Sequence, residues 1–286
     1  MGHKLVELLR AEGIFGDLWA KDHRVVRGAA NAADYISTGL ITEKLEASLL
    51  RWPYFSVLRD GQVPQVGTFT RTRNVIGHPR DGFADLAKIR RLMDAGATLK
   101  LNQLSDWHRP TREIVRAIEE TAPVSVSTYV FWTPEEKRGM LPHRDASHVV
   151  VVQLEGRKEW HLYAQRGQVR SDAGLDVDNA EPSHRFVLEP GDVLYLPHGW
   201  PHDAVAHGGP SMHLTFTLTE PTPEDLLEAL RQHIEDANPD LAGRFHARTL
   251  EQRSSDVQAA LVRGLDELDA ETWTRLALST MRRKTG

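Results

Sequence analysis

His143, Arg144 and Asp145 follow Pro142, and a distant histidine, His202, ends the run Pro197-His-Gly-Trp-Pro-His202. Two histidines and one carboxylate cover one face of an octahedral iron and leave the other positions open, so that dioxygen and a cosubstrate can share the same metal. An isolated His-x-Asp is more often an ordinary surface pair; the second element raises the metal reading above it. On a strand, residues two apart point to one face, so His143 and Asp145 aim together while Arg144 points away. His148, an odd number of positions from His143, faces the opposite side of a regular strand and falls outside the ligand set. The chain has no cysteine, which excludes thiolate metal sites, disulfides and cysteine nucleophiles.

Short strands separated by turns surround these motifs, at 124–132, 147–154, 158–163, 185–188, 192–196 and 211–218, a rhythm that predicts a sandwich or barrel. Helical spacing appears earlier, at 3–11, 43–50, 85–95 (ended by Gly96) and 111–121, with extended pieces at 23–26 and 97–101 and a turn at Asp60-Gly61. After Pro223, which suits a helix start, Leu226, Leu227, Leu230 and Ile234 recur at helical spacing, and three helices fit before residue 283. The fold class expected is mainly β with flanking helices. It divides into an N-terminal mixed part (1–122), a β core (123–220) and a C-terminal helical region (221–286).

With 286 residues, 40% of them hydrophobic, a sizeable core is available. No stretch approaches the roughly 20 apolar residues of a membrane span, and the first residues alternate charge with apolar side chains without a signal-peptide core. The expectation is a cytoplasmic protein without membrane contact. A formal charge of -5 argues against a general nucleic-acid binder, so no direct nucleic-acid binding is expected.

Gly191-x5-Pro197-x-Gly199-x2-His202 matches the second motif of the cupins, and His143-x-Asp145 followed by Gly156 resembles their first motif with Asp in place of the second histidine. The usual motif-one glutamate is absent, with Val149 near its place, which disfavours a four-ligand site. The run Pro142 to Trp160 closely resembles the Jumonji-C oxygenases of the ribosomal-oxygenase (cupin-4) type. Gly96 to Leu104, Tyr129 to Pro134 and Ser211 to Thr217 resemble further segments of that family in the same order. The resemblance implies a double-stranded β-helix and iron(II) held by His143, Asp145 and His202. It also implies 2-oxoglutarate and O2 as cosubstrates.

In that family a basic residue after the Gly turn holds the far carboxylate of 2-oxoglutarate, a position that falls on Lys158, while Arg157 reads as surface charge. Without the flanking motifs Lys158 would be read as a solvated hairpin lysine. A hydroxyl position falls on Thr217, where a strand-filling role is almost equally plausible. Where relatives commonly carry Asn and Tyr two residues apart, this chain places Tyr129 and Phe131; Phe131 cannot donate a hydrogen bond, which leaves Tyr129 to take over. His213 shares a strand face with Thr217 and reads as a satisfied core histidine.

The activity implied is hydroxylation of an amino-acid side chain in a protein or peptide, with ribosomal proteins as precedent. A free amino acid or small biosynthetic intermediate is the alternative substrate. A metal-binding cupin without 2-oxoglutarate chemistry is the alternative of another class, and a non-catalytic barrel module is disfavoured by the complete ligand set. Relatives of this kind carry a dimerisation segment and a winged-helix-like domain after the barrel. Residues 221–286 are short by comparison, and a cap or a homodimer through these helices is expected. The segment 133–141 reads either as a lid or as a plain connection.

Overall fold

A computed structural model describes residues 2–47, 50–59, 61–134, 137–165, 177, 181–242 and 249–285. The first part of the chain forms α1 (Gly2–Ala11), β1 (Arg24–Val26), α2 (Thr38–Ala47), β2 (Phe55–Leu58), β3 (Thr70–Val75), β4 (His78–Ala84), α3 (Leu86–Asp94), β5 (Thr98–Asn102), α4 (Leu104–Trp107) and α5 (Arg109–Glu119). Seven strands follow: β6 (Ser125–Thr133), β7 (His148–Glu155), β8 (Lys158–Leu162), β9 (His184–Leu188), β10 (Val193–Leu196), β11 (His202–Ala206) and β12 (Ser211–Thr219). The chain ends in α6 (Pro223–Ala237), α7 (Pro239–Ala242), α8 (Leu250–Glu267) and α9 (Ala270–Thr285). Two compact units result, Met1–Thr121 with Val126–Leu218, and Ala122–Ser125 with Thr219–Gly286. The N-terminal third and the barrel strands therefore fall in the same unit.

In the first unit, a seven-stranded sheet in the order β1-β10-β7-β12-β6-β5-β2 accompanies a three-stranded sheet, β11-β8-β9, and a separate ribbon, β3-β4. The two larger sheets share one core. Val149, Val151, Leu194 and Leu196 from the first pack with Trp160, Leu162 and Leu188 from the second, every one of them buried. At about 1.5–3 kcal/mol for each large apolar side chain removed from water, this cluster is a major source of stability. β7 carries four consecutive valines, and all are buried because both faces of its sheet are covered.

The expected helices are present, the one expected at 43–50 shifted to Thr38–Ala47, and α3 and α6 carry side-chain caps while α5 carries none. Asp85 accepts from the Lys88 amide to start α3, and Thr222 and Asp225 form a reciprocal capping box at α6 with Pro223 in its first turn. Sequence periodicity did not reveal β2, the β3-β4 ribbon or β11. In the second unit Leu230, Ile234, Ala260 and Leu268 form a small core. Gly264 lets α8 approach α6, since a Cβ there would stand 2.6 Å from Ile234 Cγ1. Asp60 of the expected turn and residues 135–136 of the 133–141 segment lie outside the described residues.

Candidate metal centre

His143 and His202 meet across an isolated antiparallel bridge in which each backbone amide donates to the other's carbonyl, at 3.0 and 2.9 Å. This pairing joins the loop before β7 to the start of β11. Asp145 lies outside any strand, and β7 begins only at His148, so the regular strand invoked to place His143 and Asp145 on one face does not exist. The two converge because the loop curls around its bridge to His202, and the Gly199 amide donates to the Asp145 carbonyl at 3.0 Å. Arg144, expected to point away from the ligand pair, is buried and donates to the Gly199 carbonyl at 2.9 Å, tying the two motifs together.

The three ligand groups lie within 4.8 Å of one another. Asp145 Oδ1 is 3.5 Å from His143 Nε2, and Oδ2 is 3.6 Å from His202 Nε2. Each histidine turns its other nitrogen to a backbone carbonyl two residues upstream, His143 Nδ1 to Leu141 at 2.8 Å and His202 Nδ1 to Trp200 at 2.9 Å. A carbonyl can only accept, so both Nδ1 atoms carry the proton and both Nε2 lone pairs face inward, free for a metal.

The protonation states of His202 and Asp145 agree with that use, whereas that of His143 opposes it in the absence of an ion. Burial pushes His202 down to about 4, aided by the nearby His143. Asp145 is held at about 2: burial would raise it, but the His143 hydrogen bond and the charges of His202, His143 and Lys100 outweigh burial. For His143 burial acts downward and is overcome by the hydrogen bond and charge of Asp145, which leave it above its ordinary value. His148 is turned away from the triad. Its ring stacks on Trp19 at 3.8 Å and its Nδ1 lies 3.0 Å from the Tyr195 hydroxyl.

Lys158 begins β8 on the face that carries Trp160 and Leu162 into the core. It is 2% exposed, and burial alone depresses its ammonium to about 7. Its Nζ donates to Thr133 Oγ1 at 3.2 Å and lies 3.4 Å from His213 Nδ1. Arg157 is exposed. The hydroxyl within reach of Lys158 is thus that of Thr133; Thr217 Oγ1 instead reaches the Ser127 carbonyl at 3.4 Å. His213 is buried, stacks on Phe131 at 5.2 Å and is held well below its ordinary value by burial and by Lys158.

Tyr129 and Phe131 share a face of β6, and Lys100 from neighbouring β5 places its ammonium 4.4 Å from the Tyr129 ring centroid and 5.4 Å from that of Phe131. Burial lowers the Lys100 ammonium while Asp145 draws it up, which puts this cation in electrical contact with the metal end of the pocket. Sequence reasoning missed Lys100 and Thr133. The apolar-polar alternation of β5 was visible, but alternation alone does not distinguish a face wet by solvent from a face lining a pocket. Trp160 stacks on His202 at 5.7 Å, and its Nε1 is a buried donor with no hydrogen-bond partner among the described residues.

Residues 102–226 match the JmjC domain. Ribosomal oxygenase 2 of Rattus norvegicus is 27% identical over 220 residues, which cover 74% of this chain and 46% of that protein. Ribosomal oxygenase 1 of Homo sapiens is 34% identical over 147 residues, 49% of this chain and 23% of that protein. The chain thus spans less than half the length of these curated relatives. Among solved structures, E. coli YcfD, a ribosomal oxygenase in complex with cobalt and 2-oxoglutarate, superposes with a TM-score of 0.58 at 18% identity, covering 95% of this chain and 71% of that one. That likeness shows a shared fold, and another YcfD structure gives 0.60. The chain therefore contains a JmjC domain, carried on a cupin-type fold, and is homologous to the ribosomal oxygenases.

Proposed function

We propose that this chain is an iron(II)- and 2-oxoglutarate-dependent dioxygenase that hydroxylates an amino-acid side chain in a protein or peptide. The observation that carries the reading is the combination of the His143, Asp145 and His202 triad with Lys158, a buried cation that pairs with no carboxylate among the described residues. A buried ammonium held at about 7 represents folding energy spent to keep a positive charge ready, and a dicarboxylate with its far end at Lys158 would offset that cost.

The donor set fits iron(II). Two neutral imidazoles and one ionised carboxylate on one side of the ion would leave positions for a chelating cosubstrate and dioxygen. Bound together, these supply the oxidant for a C–H bond, with 2-oxoglutarate leaving as succinate and carbon dioxide. The chain's own residues hold and shield the site. Leu141 and Trp200 carbonyls orient the histidine rings, Trp160 packs over His202, and Lys158 with Thr133 anchors a carboxylate. Tyr129 and Thr217 are proposed as further hydroxyl contacts to the cosubstrate, and Lys100 as a cation at the metal end.

The side-chain substrate is supported by the relatives' names: two are ribosomal oxygenases, and another, from Drosophila persimilis, is a bifunctional lysine-specific demethylase and histidyl-hydroxylase, 30% identical over 126 residues. In the same proposal, 1–122 supports the 123–220 core, residues 221–286 act as a cap or dimer element, and the protein works in the cytoplasm. No described helix is long and apolar enough to cross a membrane.

Anaerobic calorimetry of the iron-loaded protein with 2-oxoglutarate, compared with Lys158→Ala, tests the cosubstrate. No binding, or binding indifferent to Lys158, would leave a cupin of another chemistry. Succinate formation stimulated by peptide pools or by free amino acids then separates the two substrate classes.

A further inference from the structure

The net charge of -5 is not spread evenly. Between residues 50 and 84 the chain carries five arginines, no lysine and two aspartates. Four of the arginines belong to the β3-β4 ribbon and the residue bridged to it. Arg71 pairs with Phe83 across the ribbon, Arg73 pairs with Arg80, and Arg51 bridges Phe83 from the other side. Residues directly opposite one another share a face, and so do residues two apart on a strand. The register shifts between Arg71 and Arg73, so parity alone does not carry across; the stacking of both Arg51 and Arg73 on Phe83, which pairs with Arg71, places Arg51, Arg71, Arg73 and its partner Arg80 on one face, with His78 further along it, opposite Val75.

The packing agrees. The guanidinium carbons of Arg51 and Arg73 lie 5.1 and 5.3 Å from the Phe83 ring centroid. Asp81 turns to the other face, where Thr72 Oγ1 donates to its carboxylate. Arg51, Arg71 and Arg80 are exposed and form no ion pair among the described residues.

Folding accounts for part of this arrangement, since Arg51 Nε and Nη2 donate to the Asp81 carbonyl at 3.0 and 2.7 Å and Arg51 and Arg73 stack on Phe83, but it gives no such role to the exposed Arg71 and Arg80. Arg80 stands directly opposite Arg73, and like charges so placed do not by themselves favour pairing of the two strands. The tip adds a second unfavourable feature. Ile76 adopts φ +50°, a left-handed backbone that β-branched residues avoid, and its side chain is 93% exposed. The face is a two-stranded ribbon of guanidinium groups, interrupted by one register irregularity and ending in an apolar tip. A peptide ligand would draw specificity from side-chain pockets, whereas a phosphate backbone needs only fixed cations in a row, and arginine is the residue suited to phosphate.

We infer that the arginine face of the β3-β4 ribbon, Arg51, Arg71, Arg73 and Arg80, is an RNA-binding surface that grips the phosphate backbone without reading sequence. The overall acidity excludes a general nucleic-acid binder but not a local one. RNA, rather than DNA, rests on the reading that the substrate is of the ribosomal-protein class; the cationic face itself does not.

The test uses the full chain and a fluorescently labelled RNA stem-loop of about 20 base pairs, with anisotropy followed from about 50 to 200 mM salt. A DNA duplex of the same sequence and polyglutamate serve as competitors. Arg71→Gln combined with Arg80→Gln is expected to weaken RNA binding about tenfold near ~100 mM salt and to reduce the log-log salt slope by about 1.5, whereas the Arg71→Lys and Arg80→Lys pair retains the slope. Both double variants should form succinate at the wild-type rate, which shows that they are folded. RNA affinity unchanged in the Gln pair, or displacement by polyglutamate more readily than by unlabelled RNA, overturns the inference; preference for the DNA duplex overturns the choice of RNA. Arginine-dependent RNA binding without any 2-oxoglutarate turnover would leave this surface standing and remove the proposed activity.

Discussion

If Lys158 anchors 2-oxoglutarate, binding of the cosubstrate must draw a proton from solvent. The free ammonium is held at about 7 by burial, against an ordinary 10.5. That gap corresponds to about 5 kcal/mol between its protonation states, an order-of-magnitude figure. A carboxylate beside Nζ removes the reason for the depression and returns the group toward its ordinary value. At about pH 8 the free lysine is only about one-tenth charged, so each 2-oxoglutarate bound should bring about 0.9 proton with it; near pH 6, where the lysine is already charged, uptake falls to about 0.1. Affinity should be flat below about pH 7 and drop close to tenfold per pH unit above it.

Anaerobic titration calorimetry in two buffers of different ionisation enthalpy measures the proton count directly, with Lys158→Met as the control that abolishes it. The same shift predicts the stability of the free protein. The unfolded chain binds more protons than the folded one between about pH 7 and 10.5, so stability rises with pH across that window, and the full penalty applies below it. A proton count near zero at about pH 8, or a pH-independent affinity shared by Lys158→Met, would refute the placement of the carboxylate at Lys158.

Metal affinity should fall with falling pH with a slope near one proton per ion, because His143 is raised above its ordinary value while His202 and Asp145 are lowered; a slope approaching two or three, read by competition with a chelator, would contradict this. Gly156 has φ +62°, and a Cβ there would stand 1.9 Å from the Pro210 carbonyl oxygen, so Gly156→Ala should lower stability in urea unfolding by about 2 kcal/mol or more. Ile76→Asn should raise it by up to about 1 kcal/mol, since asparagine tolerates the left-handed conformation. Leu194→Ala, which empties the centre of the inter-sheet core, should cost about 2–5 kcal/mol in the same assay.

Spacing and motif order were enough to single out His143, Asp145 and His202, since a glycine turn, a proline and a histidine at set intervals leave little freedom in where the side chains arrive, whereas Lys158 came from the family resemblance and not from spacing. The reason first given for the pair His143 and Asp145 was nevertheless wrong. His148 does lie outside the triad, though not by strand parity, since no strand joins it to His143; His143 and Asp145 belong to a loop whose shape comes from a contact with His202, far away in sequence, and no local period encodes such a contact. The β3-β4 ribbon escaped for a related reason. Arginine, threonine, asparagine and aspartate occupy both of its faces, so it lacks the apolar alternation by which strands are recognised. Lys100 and Thr133 were hidden because a pocket-lining polar face and a solvent-facing one have the same sequence signature.

The reciprocal amide-carbonyl pair between His143 and His202 is made entirely of backbone, and the two ring tautomers are set by backbone carbonyls. None of these bonds passes through the ligand atoms themselves. The coordination geometry is thus a by-product of chain closure rather than something the ion must organise on arrival. If an ion binds here, its loss and collapse of the barrel should then be separate events, and chelator treatment followed by reloading should restore binding without a refolding step.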